Sequence, residues 1–216
     1  MLKTILHSLS IWIVVLPAIT GAINYKRLNN DSRWIFILTL AAFPPQFLTP
    51  IINKETFWLS ISYNLYTPIE FSILYLLFRK KMVSSFHRRW LFISLMLYVI
   101  ITLGIVLQQG IGDGFLNILA CVNNIIYMTW ILLFLKEQYD ADNDLIHSST
   151  PFTWYLLAFL IYAPCTLLST ALYHYVRDPV NRDLFGITLI NDICNIWMYI
   201  CFTAGLSIRQ QHQTTG

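Results

Sequence analysis

The sequence predicts an all-α, polytopic membrane bundle of seven transmembrane helices, and three observations lead there. Hydrophobic residues make up 56% of the 216-residue chain, only 12% is charged, and mean hydropathy is +0.58. That charged share is about half the usual one, which excludes a soluble globular domain and a disordered chain. Seven apolar stretches each approach the roughly 20 residues that cross a bilayer. They occupy most of the chain and leave only short connections, so residues 1–216 form one seven-helix domain. Backbone amides in hydrocarbon must pair within their own segment, which makes the stretches helices. The alternating ten-residue pattern of a membrane β-barrel is absent.

The first stretch, Ile5–Ile23, follows a single Lys. Its apolar run is longer than a signal-peptide core and no small-residue cleavage site follows, so it is read as a helix. It offers His7 and Ser10, with Asn24 just past its end. The second, Trp34–Ile52, holds Pro44 and Pro45. The third, Phe57–Phe78, carries Ser60, Tyr63, Asn64, Tyr66, Thr67 and Glu70, with Pro68 just before the acid. The fourth, Trp90–Leu107, is apolar. The fifth, Phe115–Leu135, holds Asn117, Asn124 and Tyr127, with Asn123 off to one side. The sixth, Phe152–Tyr173, contains Pro164. The seventh, Leu184–Leu206, brings Thr188, Asn191, Asp192, Asn195, Tyr199 and Thr203 within about a third of a helix circumference. Pro17, Pro44, Pro45, Pro68 and Pro164 mark where helices can bend.

With the N-terminus outside, the inner side holds Lys26, Arg27, Arg33, Arg79, Lys80, Lys81, Arg88, Arg89, Lys136 and Arg209, and the outer side Lys3, Lys54, Arg177 and Arg182. Cytoplasmic loops carry the excess of Lys and Arg, so the sequence reads N-out, C-in. Trp34, Trp58, Trp90 and Trp154 sit at helix starts, as an interfacial aromatic belt requires. The loop Arg79–Arg89 would meet anionic head groups, making membrane lipids a partner. The same cluster is too short and too close to the membrane for nucleic acid. The run Asp140–Asp144 reads as a solvated inner loop. Trp34 and Trp154 precede Pro44 and Pro164 by the same interval, and Asn64 and Asn191 each precede an Ile by the same spacing. These echoes suit a 3+1+3 pseudo-repeat of two parallel three-helix units.

Function is sought among polar groups at membrane depth. Glu70 and Asp192 are the two deep acids, and carboxyls there cost about 2.5–3.5 kcal/mol each on insertion scales. They serve as neutral hydrogen-bond donors, proton carriers or a catalytic pair, and both are the catalytic candidates. No Lys or Arg is deep, so His7 is the available basic partner. His7, Asn64, Glu70, Asn124, Tyr127, Asn191, Asp192, Asn195 and Tyr199 form the candidate ligand-binding set. The plain alternative is that Asn117, Asn123 and Asn124 only glue helices together. Cys121, Cys165, Cys194 and Cys201 lie inside predicted helices without CxxC spacing and read as packing residues. No metal site and no cofactor is expected. A retinal protein needs a mid-membrane Lys in its last helix, and Lys3, Lys26, Lys54, Lys80, Lys81 and Lys136 all lie at helix ends. Zinc hydrolases of the ceramidase type need clustered histidines, which His7, His87, His147, His174 and His212 do not supply. "PPQF" at Pro44–Phe47 suggests a PQ-loop, but Pro164-Cys165 lacks its partner motif.

"GAINYKRL" (Gly21–Leu28), "YNLYTPIEF" (Tyr63–Phe71) and "INDICNIWMY" (Ile190–Tyr199) with "FTAGL" resemble a family of short seven-helix membrane proteins of Bacteroidota, over nearly the whole chain. That family has no established activity. The resemblance implies the seven-helix fold and a multi-pass protein of the bacterial cytoplasmic (inner) membrane. It draws attention to His7, Asn24, Asn64, Glu70, Asn191, Asp192 and Asn195. Pro68 departs from the family pattern, which bears on the local shape at Glu70.

Three functions compete. The first is a receptor-like or sensory module that binds a small molecule or lipid in an intrabundle polar pocket and signals through a partner protein. The second is a small-solute or proton-coupled transporter, favoured by the repeat echo and the buried carboxyls. The third is an intramembrane lipid hydrolase with Glu70 and Asp192 as general acid and base on one water. Enzyme activity is the less favoured expectation.

Overall fold

The computed structural model describes residues 2–51, 57–111, 117–140, 150–172 and 185–208, without the side chains of residues 2, 3, 50 and 185–188. The expectations for Lys54, residues 141–147, His174, Arg177, Arg182, Arg209 and His212, and for the side chains of Lys3 and Thr188, lie outside the described residues, as do the span ends Ile52, Phe115, Tyr173 and Leu184. Among the described residues every element is helical: α1 (Leu2–Trp12), α2 (Val15–Asn24) followed by a short 3₁₀ turn (Tyr25–Arg27), α3 (Asn30–Ala41), α4 (Phe43–Ile51), α5 (Phe57–Lys81), α6 (Ser85–Gln109), α7 (Asn117–Asp140), α8 (Pro151–Ala171) and α9 (Phe185–Ser207).

Prolines explain why nine helices make seven rods. The ring of Pro17 clashes with the carbonyl four residues back. That carbonyl belongs to Ile13, and α1 gives way to α2 there, with the Leu16 amide closing a tighter turn onto Ile13 at 3.0 Å. Pro44 and Pro45 act the same way on Leu40 and Ala41, so α3 stops and α4 resumes. The Ala42 and Gln46 amides bridge the junction to the Leu38 and Ala42 carbonyls at 3.0 and 3.2 Å. Pro68 and Pro164 instead lie inside uninterrupted helices. The residues around them were expected to bend alike, and the structure keeps both helices continuous there.

Each rod packs on the next in chain order, and α9 closes the ring onto α1 and α2; α9 leans most heavily on α8. Within the ring, α5 touches α7, and α3 touches both α8 and α9, while α6 rests on α5 and α7. The interior of the α5–α6–α7 sector is a stack of rings. Phe71 lies flat on Tyr98 at 3.8 Å between centroids, and Trp130 tilts against Phe71 at 5.0 Å. Glycines allow two close approaches. A Cβ on Gly21 would sit 2.2 Å from the Phe36 ring, and one on Gly205 would sit 2.3 Å from Tyr155. Small residues let helix backbones approach in this way when apolar association alone is weak.

Among the described residues, five segments are long and apolar enough to cross a membrane: Thr4–Arg27, Ser85–Gln109, Asn117–Asp140, Pro151–Ala171 and Leu189–Ser207. The α3–α4 rod and α5 are the two that fall short, and these are the rods carrying the paired prolines and the Asn64–Glu70 polar run. The outward face of α6 is a continuous apolar strip, with Phe92, Leu97, Ile100 and Leu103 all more than half exposed. A strip of that kind marks a membrane or protein contact. Trp34, Trp58 and Trp90 are exposed near helix starts, as an aromatic belt would be.

Candidate functional site

Polar side chains gather in three places. The first lies where α1 meets the beginning of α9. Asp192 is buried, and both its oxygens lie 3.3 Å from the Nδ1 of His7. The Ser10 hydroxyl donates to Asp192 Oδ1 at 2.8 Å, and the Asn195 amide donates to the Ser10 carbonyl at 2.9 Å. His7 and Ser10 share a face because they are three residues apart on a helix. The basic partner expected of His7 is therefore present, at the rim end of the bundle, with more than half of the imidazole exposed. Ser10 bonds to the carboxylate and not to the imidazole, so the trio is not an activated serine nucleophile, which needs its hydroxyl on the base.

The second place is the middle of α5. Glu70 is 7% exposed, thirteen residues from one end of its helix and eleven from the other. One turn back, the Tyr66 hydroxyl donates to Glu70 Oε1 at a long 3.4 Å. The carboxylate is also close enough to Tyr98, Tyr127, Tyr162 and Tyr199 to act on each phenol electrostatically. These tyrosines come from α6, α7, α8 and α9. The hydroxyls of Tyr98 and Tyr127 and the Oδ1 of Asn123 make no hydrogen bond of good geometry among the described residues, but Thr102 stands beside Tyr98 and Asn123 beside Tyr127, close enough to interact.

Other expected residues are spent elsewhere. Asn64 donates to the Ile111 carbonyl at 2.8 Å, joining α5 to the end of α6. Asn124 donates to the Ala120 carbonyl of its own helix at 2.9 Å, which is the gluing or self-satisfying role. Asn191 turns toward α8 and accepts from Ser169 at 3.2 Å. The polar stripe on α9 is thus divided: Asn191 faces α8, while Asp192 and Asn195 face α1. Asn24 donates to the Leu206 carbonyl at 3.4 Å. The four cysteines are free thiols, and Cys165 and Cys194 neighbour each other across α8 and α9. Asn123, set aside in the sequence as off the main face, is fully buried beside Tyr127. Its spacing of four residues from Tyr127 was the signal for it.

The two acids occupy different levels. Asp192 lies in the first part of α9 against His7 of α1, whereas Glu70 lies at the middle of α5. No protein-family model, no curated protein and no solved structure matches this chain.

The third place is the charged end of the bundle. Asp31, at the start of α3, is buried and takes Lys80 at 2.7 Å and Lys81 at 2.8 Å from the end of α5. Burial pushes its carboxyl up, but the hydrogen bonds and charges of the two lysines outweigh that and hold it below the ordinary value. Glu137, near the end of α7, accepts from the Val83 and Ser84 amides and pairs with the His87 Nδ1 at 2.7 Å. The loop expected to offer five free basic side chains therefore commits Lys80 and Lys81 to Asp31 and turns Arg88 onto the Val83 carbonyl at 2.7 Å. Asp31 and Glu137 carried no sequence signal, because their partners lie about fifty residues away.

Proposed function

We propose that this is a seven-span protein of the bacterial cytoplasmic membrane, N-out and C-in, of the Bacteroidota family it resembles. It acts as a receptor-like module that binds a small molecule or lipid inside the bundle and signals through a protein partner. Two bent or polar rods, α3–α4 and α5, complete the spans beyond the five apolar ones, and the two three-helix units flank α6. One observation carries the binding reading: Glu70 is a buried carboxyl at mid-helix whose hydrogen bond is a long 3.4 Å one from Tyr66 of its own helix. A carboxyl there is expensive unless a ligand or proton uses it. The ligand set narrows accordingly to Glu70, Tyr127 and Tyr199, joined by Tyr66, Tyr98 and Asn123. Asn64 and Asn191 hold helices together, and Asn124 bonds within its own helix.

The test is co-purification. Protein extracted from its native membrane and measured by native mass spectrometry should carry a bound small molecule that Glu70→Gln and Tyr127→Phe lose while keeping wild-type helicity and elution volume. Identical bound species in all three proteins would refute the reading.

A proton-coupled transporter is the second reading, because Asp192 with His7 and Glu70 with Tyr66 stand at two levels of one bundle, as relay stations do. The hydrolase reading has less support. Asp192 is taken by His7 and Ser10, and Glu70 by Tyr66, so each acid is engaged with its own neighbours.

A further inference from the structure

We propose that the outward face at the start of α6 is a docking site for an anionic phospholipid, with Arg89 on its phosphate and an acyl chain lying along the helix. This goes beyond the intrabundle reading: it needs the chain to sit in a membrane and does not involve Glu70. Helical spacing builds the site. Phe86, Arg89, Trp90 and Ile93 stand at i, i+3, i+4 and i+7, which places them on one face, and all four are exposed. Phe86 and Trp90, 60% and 49% exposed, meet edge to face at 6.1 Å between ring centroids. Leu97, Ile100 and Leu107 continue the exposed strip along the helix. From Trp90 to Leu107 it runs about 25 Å at 1.5 Å per residue, close to the roughly 30 Å of a hydrocarbon core. Only 11% of the most apolar stretch of α6 is buried inside the protein, against 33–50% in the other four membrane-length segments.

Charge selects the occupant. Lys80 and Lys81 are held by Asp31, Arg88 donates to the Val83 carbonyl, and Arg79 lies over the Tyr75 ring at 5.9 Å. Glu137, the acid at this turn, is taken by the Val83 and Ser84 amides and by His87. Arg89 alone of the loop's five basic side chains makes no hydrogen bond, ion pair or ring contact among the described residues. A guanidinium matches a phosphate with two parallel hydrogen bonds, and a cation beside the bilayer attracts anionic head groups. Trp90 next to it has the amphipathic ring that settles at head-group level, which fixes the depth of Arg89 at the phosphates. A second copy fits this face less well. Packed through the same helix about a two-fold axis along the membrane normal, it would set Arg89 against its own image, like charge on like.

Quenching of Trp90 by brominated lipid tests the proposal on the full chain in vesicles that mix phosphatidylglycerol with phosphatidylcholine, one of the two carrying dibrominated chains at a time. The Trp90 signal is the difference between the protein and Trp90→Phe. Phosphatidylglycerol should be preferred about fivefold, the worth of one cation at an anionic surface. Arg89→Gln should bring the ratio to about one, while Arg89→Lys, which keeps the charge, should keep most of the preference. Lys136→Gln, which removes another cation from the same end of the bundle, should leave it unchanged. Equal binding of the two lipids to the unaltered protein overturns the proposal. So does a preference that survives Arg89→Gln, or one that falls as far with Lys136→Gln, which would make it a field of the whole basic end and not a site. Trp90 quenched by neither lipid also overturns it, in favour of a protein or a second copy on this face. The co-purification test reads Glu70 and Tyr127 in the interior, so the two readings fall separately.

Discussion

Asp31 shows how a carboxylate at the membrane rim becomes structural. Its two lysines sit at the end of α5, so the three side chains pin the start of α3 to that helix. The held-down carboxyl sets a pH dependence. Its folded-state pKa lies below the unfolded value of about 3.9. Its stabilisation is therefore present above that value and is lost as pH falls through the lower folded value. Asp31→Asn should cost about 1–2 kcal/mol at neutral pH, less than the roughly 3–5 kcal/mol of a fully buried broken pair, because Lys80 stays half in water. Melting curves of both proteins from neutral pH to below pH 4 should show a constant gap that closes at the acid end. A gap that widens on acidification would contradict the pairing. At this scale the sequence was legible where an unusual residue announced itself. Glu70 and Asp192 stood out because a deep carboxyl is costly, and His7 because no other base was near. Asp31 and Glu137 were illegible because an acid next to a loop is ordinary until its partner from a distant helix is known.

Helix starts and breaks are the next level, and here local chemistry was readable in part. Pro17 and the Pro44–Pro45 pair break their rods where carbonyl clash requires, yet Pro68 and Pro164, with the same local signature, do not. The proline signature is the same at both kinds of site, so the outcome is not local information. The start of α6 carries a similar lesson. Ser84 stands at its N-cap but makes no side-chain cap. Glu137 does that work from α7, accepting two of the free amides with one oxygen and the His87 imidazole with the other. A carboxylate at a helix N-terminus satisfies donors that have no partner in the helix and complements its dipole. Removing it in Glu137→Ala should destabilise the protein by about 1–3 kcal/mol. It should also speed amide hydrogen exchange at Val83 and Ser84 well beyond the change at the far end of α6. Uniform acceleration along the helix would mean that Glu137 stabilises the whole bundle and is not a local cap.

At the scale of the whole molecule, the rods alternate in direction around the ring, and their ends sort by chemistry. Asp31, Lys80, Lys81, Val83, His87 and Glu137 meet at one end, while His7, Ser10 and Asp192 meet toward the other. A charged end and an end closed by one imidazole–carboxylate pair fit a bundle whose basic end faces the cytoplasm. Hydropathy alone found five of the seven rods, and the other two were legible only as apolar runs diluted by proline and polar residues. In α5 that dilution includes the buried Glu70. The topology yields a measurable outcome. Val83, in the turn before α6, is 74% exposed at the basic end. In a background with all four cysteines replaced by Ser or Ala, Val83→Cys in sealed right-side-out cells should resist a membrane-impermeant maleimide and react only after permeabilisation. A cysteine added before Met1 should react in intact cells. The proposed seven spans would place the two termini on opposite faces, so a cysteine added after Gly216 should behave like the one at position 83. Labelling of both added terminal cysteines from the same side would require an even number of spans and would remove one of the two diluted rods, α3–α4 or α5, from the membrane.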